Sequence, residues 1–274
     1  MRVLFAVLLL AASATTSTAQ LVRAFKVVGS DSLVMHIFVP AGGGTNRPSV
    51  LLFHGGGFVW GSPEITDPAA REYAAHGFVA FSVQYRLANR STVTPIEQLE
   101  DTFDAIRWVR SHAAEFGVDT RRVVAAGASA GGYLVTMAAG SDDPHARPNA
   151  LVLWSPGVDT ENDPYFDELL AGRARGSDLS PIKHVRDAMP PTLIISGALD
   201  SVTFDSNAKR YCTRLKESNA RCDLHSYPNL GHLLSRKLDA PSQQRGQFDW
   251  DPAATADAEA KTWAFLRSLG YIMQ

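Results

Sequence analysis

Short apolar runs alternate along the chain with segments whose apolar positions recur at helical spacing. Residues 25–29 and 33–39 read as two strands joined at Gly29-Ser30-Asp31-Ser32, a hairpin signal. The runs at 49–53, 78–84, 122–126, 150–154, 192–196 and 224–227 read as further strands, most of them too uniformly apolar for a sheet with a wet face. Helical spacing marks 68–76, 131–139, 204–217 and 253–269. A longer helix is predicted over 95–116: Ile96, Leu99, Phe103, Ile106 and Val109 share one face, Pro95 starts it and Gly117 ends it. Strand–helix alternation of this kind predicts an α/β fold, a mostly parallel sheet of about eight strands with helices on both faces. No internal repeat or linker divides it. Residues 156–191 break the alternation, being rich in Asp, Gly, Arg and Pro with Tyr165 and Phe166 among them. Such a segment is either a lid over a site or a surface excursion with one short helix.

The first residues have another character. Arg2 precedes an apolar run from Val3 to Ala12, and small polar residues follow. The run is too short to span a bilayer, which takes roughly 20 apolar residues. It reads as a signal peptide over 1–19 with Gln20 as the first mature residue, or with cleavage after Ala14 as the alternative. The catalytic domain is then 20–274. No later stretch is apolar enough to cross a membrane, so a secreted or periplasmic protein without stable membrane insertion is expected. Cys212 and Cys222 are the only cysteines, and export makes them a candidate disulfide. A net charge of −2 gives no reason to expect nucleic acid or an anionic membrane as a partner. Asn89-Arg90-Ser91 matches a glycosylation acceptor.

Chemistry enters at Gly127-Ala128-Ser129-Ala130-Gly131. This is G-x-S-x-G between a predicted strand and a predicted helix, the context of a nucleophile elbow. His54-Gly55-Gly56-Gly57-Phe58 directly follows another strand. Its glycines leave backbone N–H groups open to a ligand, so Gly56 and Gly57, with Ala130, are candidate oxyanion donors. A nucleophilic serine needs a base and an orienting acid. Asp200 follows the strand at 192–196 and His232 the strand at 224–227, giving the chain order serine, acid, histidine. All three lie at the strand ends where ligands bind in open α/β sheets. Asp205 is the competing acid, expected to cap the next helix or face solvent. His184 and His225 read as structural or exposed. Phe58, Trp60, Tyr85 and Tyr133 are candidate substrate-binding aromatics, with Tyr165 behind them; each is equally readable as core packing.

HGGGF, Tyr85-Arg86-Leu87, GASAGG, GALD and the final GH together resemble the bacterial acetyl esterases of the α/β-hydrolase superfamily. That group borders the hormone-sensitive-lipase-like, feruloyl and acetylxylan esterases. The resemblance runs from about residue 33 to 271. It implies Ser129, Asp200 and His232 as catalytic triad and Gly56, Gly57 and Ala130 as oxyanion hole. Two departures matter. Ala128 stands where hormone-sensitive-lipase-like members carry an acid, and no large N-terminal helical cap precedes the first strand. Both point to a small exported esterase for short-acyl, acetyl-like esters, carbohydrate esters included. The substrate partner is then a small-molecule or oligosaccharide ester. No metal or cofactor is expected. The rivals are a serine peptidase on the same fold and a dead hydrolase serving as a binding protein.

Overall fold

The computed structural model describes residues 19–239 and 247–272. The signal-peptide reading over 1–19 lies outside the described residues except for Ala19, the first residue of strand β1. Eight strands form one sheet in the order β1-β2-β4-β3-β5-β6-β7-β8. β1 (Ala19–Val28) and β2 (Asp31–Val39) make an antiparallel hairpin around Gly29, whose φ of 61° suits glycine. β2 pairs antiparallel with β4 (Val79–Val83). From β4 onward every pairing is parallel, through β3 (Arg47–Phe53), β5 (Val118–Ala128), β6 (Ala150–Trp154), β7 (Thr192–Gly197) and β8 (Cys222–Tyr227).

The alternation of side chains along each strand feeds two cores. Leu51, Phe53, Val123, Ala125, Leu151, Leu153 and Ile194 face one side. There they meet α2 (Pro95–Ser111), α4 (Ala130–Ala139) and α6 (Asp205–Glu217). Val50, Leu52, Val124, Ala126, Val152, Leu193 and Ile195 face the other side, against α1 (Asp67–Ala75) and α7 (Pro252–Ser268). Burial on both faces explains why the central strands read as unbroken apolar runs.

The differences from expectation have local causes. β1 begins six residues before the predicted start. It is an edge strand with much of its surface exposed, and a bulge between Ala24 and Lys26 interrupts its alternation, so it carries no apolar run. The helix predicted over 95–116 divides at His112 into α2 and a short α3 (Ala113–Phe116). His112 stacks on Trp108 with ring centroids 4.0 Å apart, and its Nδ1 lies 2.9 Å from the Trp108 carbonyl oxygen. Gly117 ends α3 in the left-handed region at φ 67°. Segment 156–191 contains the short helix α5 (Pro164–Leu170) and two 3-10 turns. The Cys212–Cys222 disulfide is formed, with Cα atoms 5.6 Å apart, and ties α6 to β8.

Candidate active site

Parallel strands end on one edge of the sheet, and the candidate residues stand just past those ends. His54 follows β3, Ser129 follows β5, Asp200 lies three residues beyond β7, and His232 lies beyond β8. Ser129 sits at the strand-to-helix turn with φ 51° and ψ −116°, a strained conformation for a residue with a Cβ. Its N–H donates to the Trp154 carbonyl at 2.9 Å. The turn is possible only with the flanking glycines. A Cβ on Gly127 would come within 2.4 Å of the Gly131 carbonyl, and one on Gly131 within 2.1 Å of the Phe53 oxygen.

Ser129, His232 and Asp200 are joined in a row. His232 Nε2 lies 3.0 Å from Ser129 Oγ, and His232 Nδ1 lies 2.8 Å from Asp200 Oδ2. All three side chains are buried. Asp200 is held by its own loop: Oδ1 accepts from the Val202 and Thr203 amides, both at 2.8 Å. Thr203 Oγ1 donates to the Ser155 carbonyl at 2.9 Å while lying 3.0 Å from Asp200 Oδ2 and 3.2 Å from His232 Nδ1. Ser155 Oγ accepts from the Leu233 amide at 3.0 Å, which fixes the histidine loop. Asp205 is elsewhere and, contrary to expectation, is buried. It forms an ion pair with Lys209 at 2.6 Å and accepts from Ser226 Oγ at 2.7 Å. Burial alone would raise its pKa; these partners more than offset that and hold it low.

The glycine loop borders Ser129 directly. A Cβ on Gly55 would lie 3.3 Å from Ser129 Cβ. Gly56 takes φ 130° and Gly57 φ 56°. The Gly56 carbonyl is turned inward to accept from the Val59 and Trp60 amides at 3.1 and 3.2 Å. Ala130 is the first residue of α4, where a helical amide has no intrahelical acceptor. Ala130 thus directly follows Ser129, and the loop that carries Gly56 and Gly57 touches the Ser129 turn at Gly55.

A scaffold that the motifs did not assign keeps this loop in place. Burial lowers the His54 pKa, so the ring is neutral and its Nδ1–H donates to the Gly55 carbonyl at 2.7 Å. Tyr85 stacks on His54 at 4.3 Å and donates its hydroxyl to the His54 carbonyl at 2.8 Å. Arg86 grips the fully buried Asp101 of α2 through Nε and Nη2, each bond 2.7 Å long. Gln98 of the same helix donates to the Phe58 and Arg86 carbonyls, both at 2.7 Å. The Tyr85-Arg86 pair therefore fastens the glycine loop to α2.

Three of the four proposed substrate-binding aromatics are packed inward in this arrangement. Tyr85 is buried under His54, and Tyr133 is fully buried with its hydroxyl donating to the Leu179 carbonyl at 2.9 Å. Phe58 is also buried, packed against Tyr133 and Phe166 with centroids 5.3 and 5.5 Å away. Trp60 is different: it is 55% exposed and its ring lies over Gly56. Tyr165, on α5, donates its hydroxyl to the Gly57 carbonyl at 2.6 Å, so segment 156–191 touches the glycine loop.

Thr203, Ser155 and His54 were missed as supports. Thr203 alone had a readable signal, a hydroxyl three residues after an acid in a turn. His184 bonds the Asp178 carbonyl at 2.9 Å, and His225 lies in β8, where burial lowers its pKa. The Asn89 side chain is spent on its own turn, accepting from the Ser91, Thr92 and Val93 amides. Among the described residues no cluster of three or more His, Cys, Asp or Glu is placed to hold a metal, and no helix is long and apolar enough to cross a membrane.

Comparison with known proteins places this geometry in context. A family model described as alpha/beta hydrolase fold matches residues 50–177. Esterase LipI of Mycobacterium tuberculosis is 34% identical over 142 residues, 51% of this chain and 42% of that protein. Carboxylesterase NlhH of the same species is 35% identical over 137 residues, 48% and 42% respectively. The match thus spans less than half the length of these relatives. Esterase 2 of Thermogutta terrifontis superimposes with a TM-score of 0.81 at 27% identity, covering 93% of this chain and 96% of that one. That esterase is also known with propionate bound and with butyrate bound.

Proposed function

This chain belongs to the α/β-hydrolase superfamily, and on that premise we propose that it is an exported serine carboxylesterase for short-acyl esters, carbohydrate acetates among them. The observation that carries the reading is the row Ser129–His232–Asp200, with links of 3.0 and 2.8 Å, beside a glycine loop that borders Ser129 at Gly55. Ser129 Oγ attacks the ester carbonyl as His232 Nε2 takes its proton. Asp200 holds the ring in the right tautomer and stabilises the imidazolium. The amides of Gly56, Gly57 and Ala130 receive the developing oxyanion. The alcohol leaves with the proton from His232, and water then cleaves the acyl-serine by the same steps in reverse.

The short-acyl preference is supported by the packed rings of Phe58, Tyr133 and Phe166. They fill the space between the glycine loop, α4 and α5. The propionate and butyrate bound to the related Thermogutta esterase support it too. Export is supported by the leader-like sequence and by the Cys212–Cys222 disulfide. The test is labelling by a fluorophosphonate probe, abolished in Ser129→Ala, followed by kcat/KM on p-nitrophenyl esters of two to twelve carbons and on acetylated xylo-oligosaccharides. Each added methylene buried in a lipid tunnel would favour binding by about 0.8 kcal/mol. A maximum at eight carbons or longer, with no acetate released from the sugar, overturns the short-acyl reading; absence of labelling overturns the enzyme.

A further inference from the structure

The alcohol half of an ester must lie beside the histidine that reprotonates it. In acylation a bond forms from Ser129 Oγ to the carbonyl carbon, and the serine proton passes to His232 Nε2. That proton goes on to the alcohol oxygen as the bond between that oxygen and the carbonyl carbon breaks. Side chains against the His232 ring therefore border the leaving group. Phe248 is one, with its ring centroid 5.7 Å from that of His232 and tilted by 55°. Trp250 continues the surface, 6.0 Å from Phe248, and is 58% exposed.

These rings are mounted on a strap fixed to the histidine loop. Trp250 forms an antiparallel bridge with Ser235, three residues after His232. The Arg236 amide donates to the Asp249 carbonyl at 2.8 Å, and the Asp251 amide to the Leu234 carbonyl at 3.1 Å. Ser235 Oγ accepts from the Asp249 amide at 3.0 Å, and Arg236 pairs with the Asp249 carboxylate at 2.7 Å. Asp251 then caps α7 by accepting from the Ala254 amide. A large exposed aromatic side chain on a backbone pinned in this way, and separated from a reactive histidine by one further ring, is a surface built to stack.

We propose that Phe248 and Trp250 form an aromatic platform for the alcohol half of the substrate, and that this platform takes alcohols with a flat apolar ring face. An arene and the C–H face of a sugar ring share that chemistry. The proposal rests on the esterase reading above and adds the substrate feature selected on the leaving-group side.

Acetate esters of one acyl group and different alcohols isolate the effect. Benzyl acetate and a monoacetylated methyl xyloside are compared with ethyl acetate; ethyl butyrate reports on the acyl side. Trp250→Ala lowers the kcat/KM ratio of ring alcohol to ethyl acetate about fivefold to tenfold, the size expected for losing one aromatic face. Trp250→Phe restores most of the ratio and Trp250→Leu does not, while the ratio of ethyl butyrate to ethyl acetate stays put. The ring alcohol that shows the drop identifies which ring the platform serves. Phe248→Leu is read in the same way if Trp250→Ala does not fold. Ratios within twofold of the unmodified protein for both ring alcohols overturn the platform, as does a shift in the butyrate ratio instead. An unmodified protein that hydrolyses none of these esters overturns the esterase reading and the platform with it.

Discussion

Asp200→Asn separates orientation from folding. Asparagine keeps an oxygen in the Oδ1 position, where it accepts from the Val202 and Thr203 amides, so the loop after β7 retains both of its 2.8 Å hydrogen bonds. Its NH2 then falls where Oδ2 stood, 2.8 Å from His232 Nδ1. Two donors cannot share that contact. The imidazole is driven to the tautomer with Nδ1 bare and the proton on Nε2, 3.0 Å from Ser129 Oγ. In that state it cannot accept the serine proton, and no imidazolium is stabilised. The same change in a serine protease lowers turnover by about 10⁴, which is roughly 5.5 kcal/mol of barrier. The assay is p-nitrophenyl acetate turnover near neutral pH, with a thermal melt of each variant. Asp205→Asn is the matched control. It weakens the Lys209 ion pair and the Ser226 hydrogen bond, so it lowers stability by about 1–3 kcal/mol and leaves turnover within a few-fold. Asp200→Asn that keeps a tenth of normal activity, or Asp205→Asn that loses as much as Asp200→Asn, refutes the assignment of the acid.

Gly56→Ala places a Cβ 2.0 Å from the Trp60 carbonyl at a φ of 130°; the distorted loop is expected to lower kcat by about 10²–10³, measured by steady-state kinetics. Glu97 is pushed up by burial but pulled down further by hydrogen bonds from Arg173 and Thr94, to a pKa of about 2. A depressed folded-state pKa stabilises above the unfolded carboxylate range and is lost as pH falls toward 2; Glu97→Gln should therefore lower Tm by roughly 2–4 °C at pH 7 and make little difference near pH 2, read from melts at both values. Replacing Cys212 and Cys222 together with serine removes a short cross-link, an expected loss of roughly 2–3 kcal/mol measured by urea unfolding. Mass spectrometry of the native protein without reductant should find neither thiol free.

The strand–helix order, and with it the parallel sheet, is written in the sequence because central strands buried on both faces must be apolar throughout. The serine elbow and the glycine loop are equally legible, since their backbones admit almost nothing else: a Cβ at Gly127, Gly131 or Gly56 collides with main chain. Chain order alone put Asp200 and His232 forward as partners of Ser129, because residues that follow parallel strands end on one edge. What the sequence could not convey was which way a side chain faces once the loops close. Tyr85 and Tyr133 look like site aromatics by position, yet the packing turns them inward and spends their hydroxyls on carbonyls. Asp205 reads as a surface cap, yet lies buried against Lys209 and Ser226. Phe248 and Trp250 lie far along the chain from Ser129 and match no motif. Phe248 reaches His232, and Trp250 extends that surface, only because residues 249–251 pair with 234–236. Local pattern determines which segments are strands, helices and tight turns, since those depend on neighbours in sequence. Contacts between distant loops depend on how the whole sheet closes, and only the tertiary structure decided them.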